Sequence, residues 1–391
     1  MSAITTVEAD IDQELVRRAA SLRPLLAKHA TEHEAQRRLS PEVWDALETT
    51  GLFEVIVPKR AGGLGATMAT QLSVAAELAR ACTSTAWVQT IVNITTWGAS
   101  LSAVGAGLFA AGASDGRPRV CGVIAPTGVA RPTEGGYIVT GRWPFASGSL
   151  HASWFNGGVL LEDGHGAVVG AAMVLIPRDD YEIDDTWYVA GMGGTGSNTV
   201  TVQDVFVPAG RLVAIGDSTP VGDEPNDRWP LGSALSLVIV GPILGAAKAC
   251  AEAVVEKVPT RAISYTSYAH TSESMVAVAE TARALLDIDT AWLHAFQAAA
   301  YIDGVGAGAA RDPIEEARVR GQCGYLTQCV RRGVDTLVDV GGAGSFASAN
   351  SVQRLWRDIN VASRHAFLAT NVSFETYGRA LFGLDPVVLI V

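Results

Sequence analysis

The stretch Arg354–Phe367, RLWRDINVASRHAF, sets one histidine among alanines and aromatics on a segment with helical spacing. An imidazole titrates near about 6.5 and is the side chain best suited to take a proton from, or orient, an aromatic hydroxyl titrating near about 10. Seven residues back, about two helical turns, Asp358 falls on the same face as His365. A hydrogen-bonded core histidine is the other reading of the same residue. A second constellation lies in GRWPFASG, Gly141–Gly148, where Ser147 puts a hydroxyl at the end of an expected strand. It can meet a ligand or satisfy a loop amide. Trp143 and Phe145 beside it offer flat faces that suit either a planar ligand or the core. In GMGGTGSN, Gly191–Asn198, glycines such as Gly194 alternate with the hydroxyls of Thr195 and Ser197. Such a loop lets backbone N–H groups approach a ligand closely, or serves as a plain turn before a strand. Arg261, ahead of AISYTSYAH, is a candidate for a phosphate or a solvated cation, with Ser264 and Thr266 as lesser hydroxyl partners.

Other chemistry-bearing residues point less clearly to a site. His29 and His33 stand four apart on a charged helix; the spacing can hold a metal, but no third ligand accompanies them, and a solvated face is expected. His151 follows the Ser147 segment. The five cysteines fit no zinc spacing and read as buried, reduced thiols. Two glycine patterns, from Gly304 and from Gly341, neither follow a strand nor open a βαβ unit, so no nicotinamide site is expected.

Three textures must position these residues. Residues 1–118 read as helices: Ser40 and Pro41 form an N-cap and N1 pair, Gly51 ends that helix, and two alanine-rich helices follow. Residues 119–217 carry short alternating runs, with a change of phase near Gln203–Asp204 that suits a bulge, and imply an antiparallel β domain. Residues 218–391 return to helix, read as a four-helix bundle whose first long apolar pattern begins at Leu231 and whose last runs from Ser351 to Phe382. The fold class is α+β. With 48% hydrophobic and only 18% charged residues, more than one face of these helices must be covered, so a homo-oligomer is expected. The net charge of −11 argues against nucleic acid or an anionic membrane as partner. The polar start shows no leader pattern and no apolar run of membrane-spanning length is evident, so a cytoplasmic protein is expected.

VPKRAGGLGA, GRWPFASG, WYVAGMGGTGSNTVTVQDVFVP, QRLWRDINVASRHAF and YGRALFGLDP, in this order across nearly the whole chain, resemble the acyl-CoA dehydrogenase fold, and within it the oxygenase components of two-component flavin-dependent aromatic hydroxylases. The resemblance implies helical, β and helical domains and usually a homotetramer. It implies FMNH2 or FADH2 supplied by a separate NAD(P)H:flavin reductase, and reaction with O2 through a C4a-hydroperoxide. The substrate would be aromatic, with polycyclic biosynthetic compounds among the candidates. It gives His365 the substrate, Ser147 the flavin N5 region, Trp143, Phe145, Gly194, Thr195 and Ser197 the flavin surroundings, and Arg261 with Ser264 the flavin phosphates, often across a subunit boundary. Asn93–Trp97 departs from the branch that has a histidine near Trp97; Thr95 and Thr96 stand there instead. The alternatives are an acyl-CoA dehydrogenase and a non-catalytic flavin-fold binding protein. Against the dehydrogenase, the stretch from Ser345 to Phe367 holds no glutamate to serve as α-proton base, and the nearest, Glu375, lies beyond the histidine.

Overall fold

The computed structural model describes residues 10–102, 105, 107, 117–215 and 222–388; the expected boundary at 217 falls outside them. Asp12 caps α1 (Gln13–Gln36) by accepting from Glu14 N and Leu15 N. Ser40 caps α2 (Pro41–Thr49) with Pro41 in its first turn, and Thr67 caps α3 (Met68–Ala79). Next comes α4 (Thr83–Ser100), nearly all of it buried.

The middle region forms one seven-stranded sheet: β1 (Val120–Thr133), β2 (Gly136–Trp143), β3 (Trp154–Glu162), β4 (Val168–Pro177), β5 (Glu182–Asp184), β6 (Thr199–Pro208) and β7 (Leu212–Ala214), in the order β5-β6-β2-β1-β3-β4-β7. The expectation of an all-antiparallel domain is corrected at one ladder. β1 and β3 run parallel, because the chain leaves β2 through the Ser147 turn and re-enters on the far side of β1. The phase change in β6 is a bulge. Val139 pairs with Val205 and Gly141 with Val202, one extra residue on β6, and Asp204 takes φ +50°.

The C-terminal region comprises α5 (Leu231–Val238), α6 (Val240–Lys257), α7 (Met275–Gly306), α8 (Pro313–Gly341), α9 (Ser351–Ala362) and α10 (Thr370–Leu381). Two of the expected long helices are each broken. α5 and α6 part at Ile239; Pro242, lacking an N–H, leaves the Val238 carbonyl without its helical partner. The span Leu231–Lys257 contains an 18-residue stretch with a mean hydropathy of 1.8, enough by composition to cross a membrane, yet that stretch lies mostly buried within the protein. The last helix breaks between Ala362 and Thr370, in the segment that carries His365. Helices before and after the sheet share one apolar core, while the sheet keeps its own around Trp143, Phe155 and Val200.

Candidate active site

Between β2 and β3 the chain makes a tight turn at Phe145–Gly148. Phe145 sits at φ +66°, an uncommon backbone for a bulky residue. The turn is pinned to the glycine loop by Ala146 N–H donating to the Asn198 carbonyl and Gly148 N–H to the Thr195 carbonyl, each at 3.0 Å. This geometry turns the Phe145 ring outward, 68% exposed, with Trp187 edge-on at 5.9 Å. Ser147 points the other way and is buried.

A directional chain of hydrogen bonds runs through Ser147. Thr195 Oγ1 donates to the Met192 carbonyl at 2.8 Å, so its oxygen is left to accept from Ser197 Oγ at 2.7 Å. Ser197, its own proton spent, accepts from Ser147 Oγ at 2.7 Å, and Ser147 Oγ accepts the indole N–H of Trp87 at 3.2 Å. A hydroxyl has one donor and two acceptor sites. One lone pair of Ser147 therefore remains to receive a further N–H.

Trp87 joins this chain to the histidine: its ring lies 5.8 Å from His365, inclined at 59°. His365 occupies the linker between α9 and α10, where its Nδ1 accepts the backbone N–H of Phe367 at 3.2 Å and caps a short turn, Ala366–Leu368. The ring stacks on Phe367 at 5.7 Å. Burial first, and then the charge of Arg320, drive its pKa down to about 4. The imidazole is thus neutral at pH 7; with Nδ1 accepting, its proton is on Nε2.

Several expected site residues go elsewhere. Trp143 is fully buried, donates to the Gly158 carbonyl at 2.7 Å and packs on Phe155, so it belongs to the sheet core. Gly194 serves packing: a Cβ there would lie 2.8 Å from His33 Cβ and 3.0 Å from Ser84 Cβ, so the loop's close approach is to helices α1 and α4. Asp358 does not share a face with His365, since α9 ends first; buried, it accepts the Met192 N–H at 2.5 Å, and burial raises its pKa to about 6. Arg354, four residues before Asp358, does not pair with it and donates to Thr31 Oγ1 at 2.9 Å. Arg357 binds Glu34 and the Ala190 carbonyl, tying α9 to α1 and the loop. His29 and His33 are buried, not solvated. His29 bridges Glu32 and Glu42 at 2.7 and 2.8 Å, and His33 contacts Ser40 Oγ at 3.2 Å with its pKa lowered to about 4 by burial. His151 stacks on Trp44 at 4.8 Å, away from Ser147. Glu375 is exposed.

Arg261 and Ser264 are not part of the Ser147–His365 cluster. Arg261 donates to the Gly341 carbonyl and, at 3.2 Å, to that of Val340. It lines a hollow of about 130 Å³ with Lys257, Gly341, Gly344, Ser345 and Asn350. Ser264 is exposed on the loop that follows.

Comparison with known proteins decides what this arrangement belongs to. Residues 10–105 match the family described as Acyl-CoA dehydrogenase, N-terminal domain, and residues 237–370 the Acyl-CoA dehydrogenase, C-terminal domain. The chain is 33% identical over 378 residues to the flavin-dependent monooxygenase oxygenase subunit HsaA of Rhodococcus jostii, covering 94% of this chain and 98% of that protein. It is 30% identical to the FADH(2)-dependent resorcinol hydroxylase oxygenase component of a Rhizobium species, covering 95% of each. XiaF from a Streptomyces species, solved with FADH2 and glycerol, superposes with a TM-score of 0.92 at 36% identity, covering 97% of both chains. The chain belongs to the flavin-dependent monooxygenases of the acyl-CoA dehydrogenase fold.

The residues of this monooxygenase fit a reduced flavin. Phe145 offers an outward ring face, and the free lone pair on Ser147, one turn further on, suits a flavin N–H. The Arg261 hollow adds lysine, arginine and hydroxyl donors suited to phosphate oxygens. Trp87, Trp187 and Arg320 were not singled out from sequence. Trp87 shares its helix with a second indole, Trp97, so its type alone gives no signal; for all three only the fold reveals the role.

Proposed function

We propose that this monooxygenase hydroxylates an aromatic ring bearing an acidic hydroxyl group, using FADH2 delivered by a separate reductase. The observation that carries the reading is the juxtaposition of Ser147, Trp87 and a neutral His365. Bound there, reduced flavin supplies the oxygen-activating chemistry. Ser147, committed as a donor to Ser197, has a lone pair that would accept an N–H of the bound flavin. Trp87, with the buried Ser147 and Ser197, would help exclude water. His365 presents Nε2–H and so donates to the substrate oxygen. It orients and stabilises a phenolate and does not act as the base, because its basic nitrogen already holds Phe367 N–H. The FADH(2)-dependent resorcinol hydroxylase component and XiaF, solved with FADH2, support FAD over FMN. The absence of a glutamate between Ser345 and Phe367 weighs against an acyl-CoA dehydrogenase, which needs a carboxylate base.

The test mixes the purified chain with chemically reduced FAD, then with isotopically heavy O2 and a panel of phenols. One heavy oxygen atom in a ring product supports the reading. Anaerobic bleaching of oxidised flavin by acyl-CoA, with no labelled product from any phenol, overturns it.

A further inference from the structure

Two arginines on α8, Arg320 and Arg331, lie about three turns apart on the face turned toward the His365 linker. Arg320 is 5% exposed. It donates from Nη1 to Ser236 Oγ and from Nη2 to the Ala366 carbonyl, both at 3.2 Å, and lays its guanidinium 4.9 Å over the Phe367 ring. Its Nε has no partner. Arg331 donates to the Ser363 carbonyl at 3.2 Å and to Thr370 Oγ1 at 3.4 Å. The two grips bracket His365 on either side along the chain. Among the described residues, neither guanidinium has a carboxylate within 4.0 Å. Elsewhere the fold treats such arginines differently: buried Arg119 is paired with Glu48 and Glu54, and half-buried Arg60 with Asp227. A buried cation without an anion is unfavourable unless the site recovers that free energy by binding one.

Among the described residues, the surroundings of His365 place no carboxylate against Arg320. On α8, the Cys323 thiol is pushed up to about 12 by burial and stays neutral. α4 contributes the indole of Trp87, and α5 the hydroxyl of Ser236. Asp335, one turn from Arg331, accepts from Trp356 Nε1 at 2.7 Å and favours the charge of Arg331 through space without pairing with it, and Asp358 of α9 accepts the Met192 N–H. Arg364, in the linker itself, is exposed and bonded to Asn360.

We propose that Arg320 and Arg331 are positioning residues that hang the His365 linker from α8 and keep the pocket electropositive, so that an acidic aromatic hydroxyl is held as its anion against Nε2–H of His365. The inference rests on the hydroxylase reading above. The phenolic proton leaves to solvent as the anion binds, so the imidazole need not take it. The anion makes the ring electron-rich, which is the state an electrophilic oxygen donor requires.

4-Nitrophenol, whose anion is yellow, reads this directly in the purified chain without flavin or turnover. Its bound pKa is expected to lie about one unit or more below the free value. Arg320→Met should move it back by about one unit, a tenfold loss of anion binding, while Arg320→Lys keeps most of the shift. Arg331→Gln gives a smaller shift in the same direction and serves if Arg320→Met does not fold. An unshifted bound pKa in the parent chain overturns the proposal. So does a shift unchanged in folded Arg320→Met and Arg331→Gln, or no anion bound at millimolar probe. Labelled product with no arginine-dependent shift sinks this inference alone; anion binding in a chain that never hydroxylates sinks only the proposed function.

Discussion

At the scale of single residues, Ser147 and His365 have separable duties, and their variants should fail differently. Ser147→Ala removes the acceptor of Trp87 N–H and the donor to Ser197. Buried polar groups left unpaired cost about 1–3 kcal/mol, so a lower melting temperature is expected together with more hydrogen peroxide per O2 consumed. His365→Asn keeps the hydroxyl chain. Oxygen uptake should continue, while ring product falls about ten- to a hundredfold, the worth of one hydrogen bond to a charged oxygen. With the imidazole near 4, the product yield of the parent enzyme should show no inflection around pH 6.5 that vanishes in His365→Asn. A comparison of peroxide and product across pH checks all three; equal uncoupling in both variants would argue for one shared structural role. Both residues were singled out in the sequence, and the fold joins them through Trp87. The direction of each proton was not legible there, because it is set by Phe367 N–H and the Met192 carbonyl, partners that only the folded chain brings within reach.

At the scale of elements, the position of the site depends on where helices stop. Pro242 announces the break between α5 and α6, and Ser40, Pro41 and the phase change at Asp204 announce theirs. The break at 363–369 has neither glycine nor proline to mark it. It exists because His365 caps the short turn and α8 supplies donors to the linker, so a periodicity argument runs straight through it. The same limit hid the role of Asp358, which reaches out of α9 to seat the glycine loop through Met192 N–H. Its folded pKa of about 6 lies above its ordinary value of 3.8. The stability it contributes is therefore fully present below pH 3.8 and is lost as pH rises through 6. Asp358→Asn has no such term. The melting temperature of the parent relative to Asp358→Asn should fall between pH 4 and pH 7, while Asp358→Ala, which leaves Met192 N–H buried and unpaired, should be the less stable at every pH. Parallel melting curves for parent and Asp358→Asn across that range would remove the carboxyl from this role.

At the scale of the whole molecule, the order helices, sheet, helices could be read from texture alone, since alternation and 3.6-residue periodicity are local properties. The parallel β1–β3 ladder could not, because strand order depends on which side of β1 the chain returns to. Nor does a single chain account for α7. Met275, Leu286 and Leu293 are 71%, 65% and 73% exposed and fall along one side of that helix, separated by about three and two turns. A row of large apolar side chains left in water favours association. Thr271, just before α7, also lines the Arg261 hollow, so a second copy seated on α7 would stand beside the proposed phosphate site. We expect light scattering to give four times the chain mass of 40.8 kDa. Leu286→Glu with Leu293→Glu should reduce that mass without loss of helical circular dichroism, and weaken FAD binding at least about tenfold, an energy of ~1.4 kcal/mol. A doubly substituted chain that keeps both the parent mass and the parent affinity would mean that α7 faces solvent in the working enzyme and that each subunit holds its flavin unaided.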